Sequence, residues 1–193
     1  MNHQATGEKQ KMYKRTRELI KECLRILRQP PLVSIMEWAN QYRVLDTTSA
    51  KEVGKFNVER TPYMIEIYEK ITKGETKQVT LMMAAQLAKS ELIINTILRY
   101  AHLDPCPMLI VQPTDEMARS FSKERIQPAI NNSVLNTIIK EPSKKDSGNT
   151  VTHKMFPGGY IAFVGANSPS KLAARPIRNI FLDEVDRYPK SSG

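Results

Sequence analysis

Hydrophobic and polar positions along the chain fall into a succession of short periodic blocks. Leu19, Ile20, Cys23, Leu24, Ile26 and Leu27 make a helical apolar stripe, which predicts a helix over 11–28 that stops at Pro30-Pro31. Cys23, on that stripe, is expected to be a buried small hydrophobe. Ser34 followed by Glu37 is a capping box opening a short helix through Tyr42. Residues 43–61 read as an extended connector, and Pro62 suits the first turn of a helix over 62–72 closed by Lys73-Gly74. Val79 to Met83 is a continuous apolar run and predicts a strand, with Met82 and Met83 in the core. Leu92, Ile93, Ile97, Leu98 and Ala101 then recur at helical spacing over 89–102.

The second half alternates in the same way. Met108 to Val111 predicts a strand, and Thr114 caps a helix running to Ile126 with Asp115 and Glu116 in its first turn. A short helix near 134–140 and a polar loop over 142–150 come next. Val151 to Phe156 and Tyr160 to Val164 flank Pro157-Gly158-Gly159, the signature of a hairpin. A loop over 165–176 leads into a last strand, Ile177 to Leu182. The order strand, helix, strand, helix, hairpin, strand predicts an α/β fold with a largely parallel central sheet flanked by helices. Residues 1–33 read as a basic helical extension and 34–193 as the globular part.

Composition adds a partner class. The formal net charge is +9, with 40% hydrophobic and 25% charged residues, which suits an ordinary core and a polyanionic partner such as a nucleic acid. Lys11, Lys14, Arg15, Arg17 and Lys21 concentrate that charge in the first helix. Two readings of it stay open: a solvated face on a docked helix, or a contact surface for DNA or a partner subunit. No apolar run approaches the roughly 20 residues that span a bilayer. The polar, basic N-terminus lacks the apolar stretch of a secretory signal. Cys23 and Cys106 lie far apart, and with His3, His102 and His153 they make no metal-ligand spacing, so a reducing cytoplasm is the simplest setting.

The chemistry sits in two places. The last strand ends abruptly in Asp183-Glu184, the shape of a buried parallel strand that delivers two carboxylates to the carboxyl edge of a sheet, where α/β proteins bind ligands. In a phosphate-hydrolysing site the first acid of such a pair holds Mg²⁺ and the second orients or deprotonates water. The other place is Ala84-Ala85-Gln86-Leu87-Ala88-Lys89-Ser90, a small-residue loop between a predicted strand and a helix. There backbone N–H groups face phosphates, the Lys89 ammonium reaches them, and the Ser90 hydroxyl joins Mg²⁺. The motif G-x-x-x-x-G-K-[ST] asks for glycine at 83 and 88, where this chain has Met83 and Ala88.

These residues, read together, resemble the N-terminal ATPase region of the large terminase subunit of tailed phages, in its lambda-type family. Gln86-Leu87-Ala88-Lys89-Ser90-Glu91 is similar to that family's Q-x-G-K-[ST]-E loop. The similarity includes Glu37-Trp38-Ala39, Arg60-Thr61-Pro62-Tyr63, Val111-Gln112-Pro113-Thr114, Gly165-Ala166-Asn167-Ser168-Pro169 and Leu182-Asp183-Glu184-Val185-Asp186. The resemblance implies a P-loop NTPase core that uses ATP and Mg²⁺ to move double-stranded DNA into a capsid. It implies a small terminase subunit, the capsid portal and further copies of the chain as partners, in the host cytoplasm. Carried over by position, 84–90 bind nucleotide, Ser90 and Asp183 hold Mg²⁺, and Glu184 is the catalytic base. Ala88 departs from the family's glycine, and Met64 stands where relatives usually place a glutamine suited to adenine. Ala85 stands where other branches place a cis-acting arginine. The family's later core strands and nuclease domain would come after Gly193, so the chain reads as an ATPase domain truncated after the acid-tipped strand. Two other readings are a helicase of related fold, and a catalytically silent prophage remnant whose basic helix binds DNA or a partner.

Single residues outside these motifs have plainer expectations. Trp38 and Tyr42 read as core, Arg119 and Arg125 as a solvated helix face or a DNA or subunit contact, and Arg175 and Arg178 as salt-bridging. Asp186 reads as a cap for the segment after the acidic pair.

Overall fold

A computed structural model of the chain describes residues 13–21, 23–24, 33–45, 53–139, 149–168 and 176–190. The chain divides into two units, Met1–Leu32 and Val33–Gly193. In the first, residues 13–21 and 23–24 are helical, inside the predicted 11–28. Cys23 is exposed there, as are Leu19, Ile20 and Leu24, which corrects the expectation that Cys23 is buried. Helical periodicity specifies a stripe, but burial needs a second surface, and the described part of this unit is one helix.

The second unit is built on a four-stranded sheet. Its strands are β3 (Pro107–Gln112), β4 (His153–Phe156), β5 (Gly159–Gly165) and β6 (Asn179–Leu182), in the order β4-β5-β3-β6. β3 runs parallel to both β5 and β6, and β4 returns antiparallel to β5 through the Pro157-Gly158 turn. This is the mixed, mostly parallel sheet that the alternating pattern predicts. The central strand β3 is buried on both faces. Met108 and Ile110 join Ile161 and Phe163 in the main core, while Leu109 and Val111 pack with Ala162 and Val164 on the other side. The last strand starts at Asn179 rather than Ile177; Arg178 N still donates to the Pro107 carbonyl at 3.0 Å, and its guanidinium forms a bidentate pair with Asp104, both contacts at 2.8 Å.

The helices pack into the main core. In α1 (Ile35–Tyr42) the Ser34–Glu37 capping box forms as expected, and Trp38 is fully buried with Tyr42 packed beside it. α2 (Ile65–Thr72) is entered through a tight 3₁₀ turn at Pro62–Met64 and leaves through Gly74, whose φ of 70° is the left-handed exit that glycine allows. α3 (Lys89–Leu103) is the longest described helix and buries Leu92, Ile94, Ile97, Leu98 and Ala101. α4 (Asp115–Ser120) is capped by the Thr114 side chain, then widens into a π-helix over Phe121–Ile126 and resumes as α5 (Gln127–Asn131). Near 134–140 there is a 3₁₀ turn, Val134–Thr137, in place of a full helix. Most of the polar loop over 142–150 lies outside the described residues, as does 169–175 with Arg175.

Within 43–61, read as an extended connector, β1 (Val44–Leu45) and β2 (Gly54–Lys55) pair as a short antiparallel ribbon. Val79 to Met83 is not a strand, and Met82 is 99% exposed rather than in the core. An apolar run becomes a strand only where a neighbour offers backbone N–H and C=O groups. Among the described residues, β6 pairs with β3 alone and 78–84 pairs with no strand.

Candidate functional site

The loop before α3 has a distinctive backbone. Gln86 and Ala88 both lie at positive φ, 63° and 58°, while Leu87 between them does not. Alternation of φ sign turns successive N–H groups toward one side and makes an anion-binding concavity. Ala88 is also the N-cap residue of α3, with ψ 17°, and no side chain caps the helix start. The first N–H groups of a 15-residue helix therefore join the concavity with the positive end of its dipole. Lys89 folds back across the loop, its Nζ donating to the Met83 carbonyl at 2.9 Å, so a primary ammonium is held over the same backbone. Ala84, Ala85, Gln86 and Leu87 are exposed, and Ala88, Lys89 and Ser90 are half-buried at the helix start. Ala88, where the motif asks for glycine, thus sits in the left-handed region and carries strain that glycine would not.

The acidic pair stands at the carboxyl end of β6, as the strand pattern predicts, but the strand is not buried as expected: Ile180 and Leu182 are exposed, since β6 pairs on one side only among the described residues. Asp183 continues the ladder by donating its N–H to the Val111 carbonyl at 3.1 Å, and is 9% exposed. Its Oδ2 accepts from Gln112 Nε2 at 3.0 Å. Gln112 is itself buried at the end of β3, where its carbonyl accepts from Ala166 N at 2.8 Å. The Tyr188 hydroxyl also donates to the Val111 carbonyl, at 2.8 Å. Burial and the nearby Asp183 charge push the Tyr188 phenol up to about 12, so it stays a donor near neutral pH.

Glu184 differs from its neighbour. It is exposed, sits in the left-handed region at φ 50° and ψ 46°, and pairs with Arg187 Nη1 at 2.6 Å. A non-glycine residue held there is strained backbone of the kind concentrated at functional sites. Asp186 lies inside the 3₁₀ turn Val185–Arg187, and it is Glu184 that occupies the cap position expected of Asp186.

The rim beside Asp183 is braced by Asp115. Its Oδ1 accepts from Gly165 N at 2.9 Å and its Oδ2 from Ser168 Oγ at 2.8 Å. Gly165 has to be glycine, because a Cβ there would collide with the Asp115 backbone nitrogen. Gln112 and Asp115 contact or brace the segments around Asp183, although the sequence offered Gln112 only within a block of resemblance and Asp115 only as a first-turn acid, not as site residues. The signal available for Gln112 was its place at the carboxyl end of the central strand, where polar residues face the ligand edge. Met64, by contrast, is buried in the core and presents nothing polar. The structure thus shows a left-handed loop with Lys89 and Ser90 at a helix start, and a buried acid fixed at a strand end. Lys89 is engaged with Met83 and Asp183 with Gln112.

A family model described as phage terminase large subunit gpA, ATPase domain, matches residues 50–193. The terminase large subunit of Escherichia phage lambda is 26% identical over 147 residues, covering 75% of this chain and 22% of that protein. The terminase large subunit of Enterobacteria phage P21 is 22% identical over 162 residues, covering 82% of this chain and 25% of that protein. The chain thus spans a quarter or less of the length of these relatives. No solved structure matches. No helix among the described residues is long and apolar enough to cross a membrane.

Proposed function

We propose, from the premise that this chain belongs to the phage terminase large subunit gpA ATPase-domain family, that it carries the nucleotide site of a DNA-packaging motor. The observation that carries the reading is the left-handed loop at Gln86 and Ala88, which ends in Lys89 and Ser90 at the start of α3. On this reading the fold is of the P-loop type, with 78–84, outside the sheet, in the place of the strand that leads into the loop. Residues 84–90 bind the phosphates of ATP through backbone N–H groups, and Lys89 leaves Met83 to neutralise their charge. The donor set fits Mg²⁺: Ser90 offers a hydroxyl, and Asp183 a buried carboxylate with Oδ2 already oriented. Bound there, Mg²⁺ supplies electrophilic stabilisation of the terminal phosphate. Glu184, exposed beside Asp183, orients the attacking water and accepts its proton. Ala85 supplies no arginine, so a further cation comes from elsewhere in the chain or from a neighbouring copy.

The partners belong to the same reading. Double-stranded DNA is the translocated polyanion, matched by the +9 charge. The small terminase subunit, the capsid portal and further copies of the chain complete the motor in the host cytoplasm. One observation favours a second reading, a silent DNA- or partner-binding module: 78–84, which leads into the loop, lies outside the sheet. Steady-state ATP turnover separates the two, in this chain and in a form extended to the relatives' length. The motor reading expects Glu184→Gln to lower turnover by about 100-fold or more. Equal turnover in parent and variant would remove Glu184 from the mechanism, and absence of turnover in both forms would favour the silent module.

A further inference from the structure

We infer that Gln112 is a positioning residue for the metal carboxylate, fixing Asp183 so that one oxygen is committed to the protein and the other is left for the cation. The inference rests on the reading of Asp183 as a Mg²⁺ ligand. Gln112 is 3% exposed, and its Nε2 donates to Asp183 Oδ2 at 3.0 Å across the parallel β3–β6 pair. Its backbone is held as well: Gln112 pairs with Gly165 of β5, and its carbonyl accepts from Ala166 N. The amide therefore sits on a rigid element in the middle of the sheet. Asp183 is held in turn by its own N–H on the Val111 carbonyl. With backbone and one oxygen both fixed, the carboxylate has little freedom left to rotate.

The residue type matters. A neutral amide orients a carboxylate without cancelling its charge, whereas a lysine or arginine here would compete with the cation. A glutamate would repel Asp183. An apolar residue would leave Oδ2 buried without its donor and free the carboxylate to turn. Partners one bond removed from a metal set ligand orientation, and losing them lowers metal affinity by about 10–100-fold. Gln112 also joins Asp183 to the 165–168 loop, which Asp115 braces from the other side.

The test is Mn²⁺ binding in the presence of ATP, monitored by electron paramagnetic resonance, for the parent, Gln112→Leu and Asp183→Asn. ATP affinity without metal is measured alongside. Gln112→Leu is expected to weaken Mn²⁺ binding about 10-fold with metal-free ATP affinity unchanged. A merely structural role would lower both or neither. Should the leucine variant fail to fold in circular dichroism, Gln112→Met, unbranched and of similar volume, takes its place. Parent-like Mn²⁺ affinity in the Gln112 variant, with loss in Asp183→Asn, would overturn the inference and leave the site standing. Parent-like affinity in Asp183→Asn would overturn the assignment of Asp183, and the role of Gln112 with it.

Discussion

Arg43, buried, and Glu91, half-buried, form an ion pair, Nη2 to Oε2 at 2.8 Å, immediately next to the candidate phosphate loop. Arg43 is 1% exposed, and Glu91 lies in the first turn of α3, one residue past Ser90. The second Glu91 oxygen takes Arg125 Nη2 at 3.3 Å, from the π-helix. Arg125 is thus not on a purely solvated face, as its sequence context suggests. Glu91 pins the start of α3 to the residue just after α1 and to the segment after β3.

The two arginines predict unequal costs. Glu91→Ala removes a carboxylate partner from Arg43, whose side chain is 1% exposed, and is expected to destabilise the fold by about 1–3 kcal/mol. Arg125→Ala removes a partner that is 38% exposed, and is expected to cost about 1 kcal/mol or less. Urea unfolding of the two variants against the parent measures both. Equal losses would contradict the assignment of Arg43 as the dominant partner.

Ala88 at φ 58° carries a left-handed penalty of about 1–2 kcal/mol that glycine would not. Glycine in turn adds about 0.5–1 kcal/mol of unfolded-state entropy. Ala88→Gly is therefore expected to raise stability by about 0.5–1 kcal/mol. Gln86, at φ 63°, should respond to glycine in the same direction. Thermal melts check this, and a lowered melting temperature for Ala88→Gly would mean that residue 88 is not left-handed.

His102 gives the fold a pH dependence. Its Nδ1 accepts from Trp38 Nε1 at 2.9 Å, which requires an unprotonated nitrogen, and burial lowers its pKa from 6.5. The unfolded chain then binds more protons than the folded one between the two values, so stability rises with pH in that window. The contribution is complete above 6.5 and is lost as pH falls through it toward the lower folded value. The urea midpoint of the parent is expected to drop between about pH 7.5 and about pH 5.5, above the range where carboxylates protonate. A His102→Phe variant should show a flatter profile, and an unchanged slope would assign the effect elsewhere.

Much of this was legible in the sequence because it is local. The Ser34–Glu37 capping box, the 3.6-residue spacing of α3, the Thr114 cap and the hairpin at Pro157-Gly158 all act within a few residues and formed where expected. The acid-tipped strand was legible from the short apolar run that ends in Asp183-Glu184. What failed depends on distant partners. Val79 to Met83 has a strand's composition, but no described neighbour pairs with it. Cys23 lies on a stripe without a described surface to bury it. Gln112 and Asp183 are 71 residues apart, and Arg43 and Glu91 are 48 apart; no spacing rule links them until the sheet and helices are built. The left-handed turn at Ala88 was hidden by the residue itself, since alanine gives no sign of positive φ.

If the left-handed loop and its lysine bind the phosphates of ATP, equilibrium binding of Mg-ATP must depend on Lys89. The measurement compares the parent, Lys89→Ala and Glu184→Gln, with the chain extended to the relatives' length as well as in its present form. The expected result is binding by the parent, similar binding by Glu184→Gln, and a loss of at least about 10-fold for Lys89→Ala, the removal of one charge-assisted phosphate contact. Unchanged Mg-ATP affinity in Lys89→Ala would contradict the phosphate-loop assignment.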